Sequence, residues 1–298
     1  MKKGLIMKLG SASVLTAVLF MVSCEDRLDL TSSDSKNVQN EAQIDGFYED
    51  ADDMASMALI ADTAPLTGAR EDNGRGIPKD RLDNRFSCAT TTLELASDNT
   101  PQVPHGYITI DFGTSGCADA KGNTRKGKIK VEYKGRRFSP GSTVTTTFEN
   151  YSLNNVNIEG TRTVTNASTS TDSAPQFTIK LTNGKATWPD GTTATRNSER
   201  TRKWNRTANP MTDSWEVTGN ADGTNRDKKT FSMTITKPLV YKRECAISDR
   251  IFMAVEGTKE LTVDGKKITI DYGSGECDRE VTITINGVSQ EVEVRGDI

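Results

Sequence analysis

Histidine is almost missing from this chain: His105 is the only one in 298 residues. Sites that need a His pair are therefore excluded. A Ser-His-Asp triad would hang on one residue, set between Pro104 and Gly106 in what reads as an exposed loop. The patterns His-Glu-x-x-His, Gly-x-Ser-x-Gly and the phosphate-binding Gly-Lys loop do not occur, and neither does Cys-x-x-Cys. Aromatic residues make up 6% and apolar residues 34%. After Val22 no apolar run approaches the roughly 20 residues that a membrane-spanning helix needs. What the chain has in quantity is threonine, 39 residues of it. Threonine suits strands with one wetted face. Formal charge is −3, which leaves no basic footprint for nucleic acid.

The N-terminus carries a separate signal. Lys2, Lys3 and Lys8 precede an apolar run from Val14 to Val22, broken only by Thr16; Ser23 and Cys24 follow, then Glu25 and Asp26. A basic start, a short apolar run and a small residue before the cut describe a secretory signal over residues 1–23. Met21-Val22-Ser23-Cys24 resembles the bacterial lipobox, with Met21 where leucine is usual. That resemblance implies acylation of Cys24. An ordinary cleaved signal with an incidental cysteine is the alternative. Several acyl chains would anchor stably, at about 0.8 kcal/mol per buried methylene. Cys24-Glu25-Asp26 also resembles the acidic tag of surface-exported Bacteroidota lipoproteins, with Arg27 interrupting it. Cleavage before Cys24 would leave 275 residues and move the formal charge from −3 to −6.

Residues 24–80 read as an acidic tether, with ten acidic residues over 25–53 against Arg27 and Lys36. Within it Ile44, Phe47, Ala51, Met54, Ala58 and Ala61 recur at spacings of three and four, which predicts an amphipathic helix over about 41–62. Such a stripe packs on the β body, orders in part as a stalk, or docks a partner. From about residue 86 the pattern becomes short strands and tight turns. In Glu260–Tyr272, Asp264-Gly265 sets Val263 opposite Lys266 and Leu261 opposite Ile268. Asn286-Gly287 makes a second hairpin, and Asn183-Gly184 and Pro189-Asp190-Gly191 read as further turns. This spacing predicts a mainly β protein of antiparallel sandwich or barrel-like units with an N-terminal helix.

Ile108-Thr-Ile-Asp-Phe-Gly-Thr-Ser-Gly-Cys117 matches Ile268-Thr-Ile-Asp-Tyr-Gly-Ser-Gly-Glu-Cys277. Each copy is preceded by another cysteine, Cys88 or Cys245, at a similar gap. The body thus divides into a first β unit over 86–165, a middle β section over 166–239 and a second unit over 240–298 that repeats the first. In an oxidising envelope four cysteines allow three pairings. The repeat selects Cys88–Cys117 with Cys245–Cys277. Cys88–Cys245 with Cys117–Cys277 is the competing arrangement, and it would join the units face to face.

Ile108–Cys117, Gly127–Tyr133, Glu159–Asn166, Ser198–Arg202, Thr236–Val240 and Ile268–Asp278 are similar to a recurrent group of uncharacterised Bacteroidota lipoproteins. The resemblance spans residues 86 to 295. It implies secretion and a β body, and it implies no activity.

Three further features bear on chemistry. In a strand, Arg196, Ser198, Arg200, Arg202, Trp204 and Arg206 share one face; guanidinium groups around an indole can take an acidic glycan, a lipid headgroup or nucleic acid, nucleic acid fitting an acidic protein least. The alternative is an edge strand whose charges block aggregation and whose arginines pair with neighbouring carboxylates. Asp111, Asp119 and Asn123 offer oxygen ligands to calcium at a spacing that matches no known loop, so no metal and no cofactor is expected. Asp62-Thr63-Ala64 and Asp172-Ser173-Ala174 resemble the Bacteroidota O-glycosylation motif, with Thr63 and Ser173 as acceptors. Together these readings lead to an expectation: a lipid-anchored outer-membrane protein at the cell surface, with the periplasmic face as the alternative. It would act as a non-enzymatic module that binds or displays. Its partners would be the membrane, through the lipid, and a glycan or another envelope protein. A structural envelope protein and a carboxylate-dependent glycan enzyme are the competing classes.

Overall fold

The computed structural model describes residues 32–61, 75–76, 82, 84–120, 122–170, 174–249, 251 and 253–293. The signal segment, Cys24, Thr63 and Ser173 lie outside the described residues. Among the described residues the chain forms a long helix α1 (Ser32–Ala61) and fifteen strands. The strands are β1 (Arg75–Gly76), β2 (Thr90–Leu95), β3 (His105–Asp111), β4 (Cys117–Ala118), β5 (Thr124–Lys134), β6 (Thr143–Leu153), β7 (Val156–Asn166), β8 (Gln176–Thr187), β9 (Thr193–Asn205), β10 (Ser214–Thr224), β11 (Thr230–Lys242), β12 (Glu256–Val263), β13 (Lys266–Ser274), β14 (Glu280–Ile285) and β15 (Val288–Glu293). A short helix α2 (Arg243–Ser248) follows β11.

All fifteen strands belong to one antiparallel sheet in which each strand pairs with its sequence neighbour, except that β4 is a side strand on β5 and β3 pairs β5 directly. The mainly β class, the antiparallel pairing and the N-terminal helix are as expected, and closure into a barrel is not. The sheet does not close, because β1 and β15 stand at its two ends. The local turn signals were sufficient for the hairpins. What stacks across a core is a non-local choice, and here α1 packs on the sheet.

The hairpins form where the turn residues demand. Asp264 (φ 53°) and Gly265 (φ 80°) close β12 on β13 with Val263 opposite Lys266 and Leu261 opposite Ile268. Asn286 and Gly287 set Ile285 opposite Val288 in the same way. Asn183-Gly184 departs from expectation: it lies inside β8 and makes a bulge, not a turn. Further bulges on β5, β7, β10 and β12 coincide with Gly127, Gly160, Gly219 and Gly257, all at positive φ. At Gly127 an added Cβ would lie 2.1 Å from the Asn150 carbonyl oxygen, so no side chain fits. Bulges bend and over-twist strands, which turns a broad sheet towards the helix on one face.

Helix α1 begins nine residues earlier than the stripe predicted, because its first turns carry serine and asparagine in place of apolar residues. The stripe itself is buried: Ile44, Phe47, Ala51, Met54 and Ala58 pack inward, joined by Tyr48, Ala55 and Leu59. They meet Leu93, Ile108, Ile110, Ile129, Val131 and Ile158 from β2, β3, β5 and β7. Full burial of such a side chain is worth about 1.5–3 kcal/mol. Tyr48 donates to the Glu159 carbonyl at 2.7 Å, an acceptor beside the β7 bulge at Gly160. So α1 is part of the folded body, and the reading of 24–80 as a tether fails over residues 32–61.

Candidate functional site

Most acidic residues of α1 turn towards the sheet, with Asp53 left at the surface. Glu41, Asp45, Glu49 and Asp52, spaced four, four and three apart, form a second inward stripe beside the apolar one. Residues at such spacings share a helix face. Glu41 meets Arg196 at 3.0 Å and Lys259 at 3.4 Å. Asp45 meets Arg196 at 3.3 Å and Arg200 at 2.8 Å. Glu49 meets Arg162 at 2.9 Å and Arg200 at 3.4 Å. Asp50 bridges Arg125 and Arg85, and Asp34 holds Lys266 at the far end. The ladder crosses the sheet from β13 to β5. Burial works against each charge, yet Lys259 and Arg196 hold the Glu41 carboxyl below its ordinary value. Against the same burial penalty, Arg200 and Arg196 hold the Asp45 carboxyl well below the usual carboxylate range, and Glu41 raises Lys259.

This settles the predicted arginine face in two halves. Arg196 is 0% exposed and Arg200 is nearly covered; both are spent on helix carboxylates. The arginine–carboxylate half of the alternative reading holds. Its edge-strand half does not, because β9 lies between β8 and β10. A strand with no apolar face is tolerated mid-sheet because the layer opposite it is acidic.

The other half is open. Trp204 and Trp215 stack across β9 and β10 with centroids 5.9 Å apart, and Tyr241 continues the row on β11. Phe138, 42% exposed, comes from the β5–β6 loop and lies 6.2 Å from Trp204 and 6.4 Å from Phe177. Arg206 stands 4.3 Å from the Trp204 ring centroid and 5.3 Å from that of Phe138, and Arg137 lies 5.5 Å from Phe138. The loops that carry these groups are pinned. Asp213 accepts from Trp204 Nε1 at 3.1 Å and from the Thr207 backbone at 2.9 Å. The Arg137 carbonyl accepts from Ser142 Oγ and Asn166 Nδ2. Burial, then the neighbouring charge of Arg202, pushes the Arg137 guanidinium below its ordinary value, with Asp52 opposing. Sequence reading found Trp204 and Arg206 and missed Phe138, Phe177, Trp215 and Arg137. These come from separate loops and strand ends, and no local spacing links them.

The remaining candidates are structural. Cys88–Cys117 and Cys245–Cys277 are bonded, as the repeat selected. Asp111 and Asp271 do the same task in the two copies: each accepts from the backbone N–H two residues on, of Gly113 at 2.8 Å and of Gly273 at 2.9 Å. Asp119 is taken by Arg125 at 2.7 Å, and Asn123 Oδ1 accepts from Asn154. Among the described residues no group of three His, Cys, Asp or Glu is arranged for a metal ion. His105 is not the exposed loop residue expected. It opens β3, is buried, and its ring bridges Asp98 and Glu132. No described helix is long and apolar enough to cross a membrane. Comparison with family models, curated proteins and solved structures returns no match for this chain.

Proposed function

We propose that the chain is a lipid-anchored envelope protein, a non-enzymatic module that holds its aromatic–arginine platform away from the membrane it is tied to. The anchor is the expected acylated Cys24. The observation that carries the reading is the position of α1. Its first residue, Ser32, follows Cys24 by eight residues, a reach of no more than about 28 Å at roughly 3.5 Å per residue. Next to that end Asp34 holds Lys266, which shares one cross-strand row with Val263, Phe231, Gly223 and Arg196. Trp204 lies eight residues further along β9, about 26 Å at roughly 3.3 Å per residue. One end of the strands is thus leashed close to the bilayer, and the platform sits at the other. A rigid helix packed on the sheet keeps that orientation, which a flexible tether would not.

The test is metabolic labelling with a fatty-acid analogue, with membrane fractionation. Wild-type protein should carry label and stay with the membrane, and Cys24→Ala should lose both. An unlabelled wild type would remove the anchor, and the orientation argument with it.

A further inference from the structure

The ion-pair ladder under α1 is matched charge for charge, and the platform beside it is not. Arg125, Arg162, Arg196 and Arg200 each have a carboxylate within 3.0 Å. Arg202 reaches only Asp52, at 4.0 Å, and Asp52 is shared with Arg162 at 3.4 Å. Arg137 and Arg206 have no carboxylate at salt-bridge distance among the described residues. Arg202, opposite Phe177 across β8 and β9, thus joins Arg137 and Arg206 on one aromatic floor where Asp52 is the one carboxylate at salt-bridge distance from the three among the described residues, in a protein whose net charge is negative. Arg137 and Arg206 both lie against the Phe138 ring.

Resting on the binding role proposed above, we infer that this platform is a recognition site for an acidic polysaccharide, with the anionic group of a sugar taken by Arg137, Arg202 and Arg206 and the ring stacked on Phe138 and the Trp204–Trp215 pair. A guanidinium fork matches a carboxylate or sulfate in two parallel hydrogen bonds. Phe138 offers a ring face to the apolar side of a pyranose, and the half-buried tryptophans extend that surface. The pinned loops keep the groups in place before a ligand arrives, which lowers the ordering cost of binding. Polynucleotides suit the site less. They bind by neutralising a long run of phosphates, whereas here the positive charge is three guanidinium groups at the end of β9 and in the β5–β6 loop.

The experiment uses the full chain in detergent and three probes: polygalacturonate, dextran sulfate and neutral dextran. Affinity electrophoresis and tryptophan fluorescence give the readouts. At least one acidic polymer should retard the protein and change its fluorescence, increasingly so at low salt, and neutral dextran should do neither. The two acidic arms report whether carboxylate or sulfate is preferred. Arg206→Gln and Phe138→Ala, both at exposed positions, should each weaken binding about tenfold or more while the melting temperature stays at the wild-type value. Three results would overturn the site: retention by neutral dextran equal to that by the acidic polymers, no retention by either acidic polymer, or unchanged binding by Arg206→Gln. None of these outcomes touches the acylation of Cys24, which the labelling experiment reads on its own.

Discussion

The two ends of the sheet carry the same local sequence and very different cover. At β2–β5 and at β12–β14, a cysteine, a hairpin ending in Ile-Thr-Ile-Asp and a second cysteine fold alike, down to the aspartate that caps the glycine two residues on. At the first end, α1 buries eight apolar side chains from Ile44 to Leu59 against the sheet. At the second end, among the described residues, the helix adds only Val38 to the cluster of Leu261, Val263, Ile268, Ile270, Val281 and Ile283. Local sequence therefore fixes the hairpin and the disulfide, while the stability of each end depends on what the rest of the chain lays over it.

Removing a charge from the ladder should disturb this comparison most. Glu41 is the carboxylate nearest the second end that serves two cations, Arg196 and Lys259. Glu41→Gln leaves a buried guanidinium with Asp45 alone and Lys259 with no carboxylate at salt-bridge distance among the described residues. We expect a loss of about 3–5 kcal/mol in urea unfolding, since a cation stranded in the interior costs more than the pair contributes. A variant as stable as wild type would mean that water reaches this part of the ladder.

The disulfides sharpen the comparison at a smaller magnitude. Each closes a loop of about 30 residues, for which chain entropy gives about 3.6 kcal/mol. Cys245→Ser/Cys277→Ser should lower global stability by about that much and also open β12–β15 locally, because so little of α1 covers that end. Cys88→Ser/Cys117→Ser should cost a similar amount without local opening, since the helix still clamps β3, β5 and β7. Peptide-resolved amide exchange distinguishes them. Equal local loosening at both ends would show that helix cover is not what separates the two.

Much of this architecture was legible in the chain, and what was not shares a physical cause. Asp264-Gly265 and Asn286-Gly287 demand φ above zero at adjacent positions, so register followed from them directly. The cysteine pairing followed from the repeat. The acidic run over 25–53 misled, because carboxylates usually mean solvent; nothing local says that arginines 110 or more residues away will meet them. Asn183-Gly184 misled for the same reason. Its glycine is needed beside a bulge where Tyr48 Oη approaches, so that an added Cβ would lie 2.9 Å away. The platform was half visible, through Trp204 and Arg206. Its other half, Phe138 and Arg137, comes from a loop whose place depends on the completed sheet.

The proposed orientation of the platform requires α1 to be part of the folded body, and amide hydrogen exchange of the detergent-solubilised full chain tests that most directly. Amides from Glu41 to Leu59 should exchange as slowly as those of β5, β7 and β9, to which Tyr48 and the ladder bind them. Exchange of that segment within seconds, while the strands stay protected, would return residues 32–61 to a free tether and contradict the account.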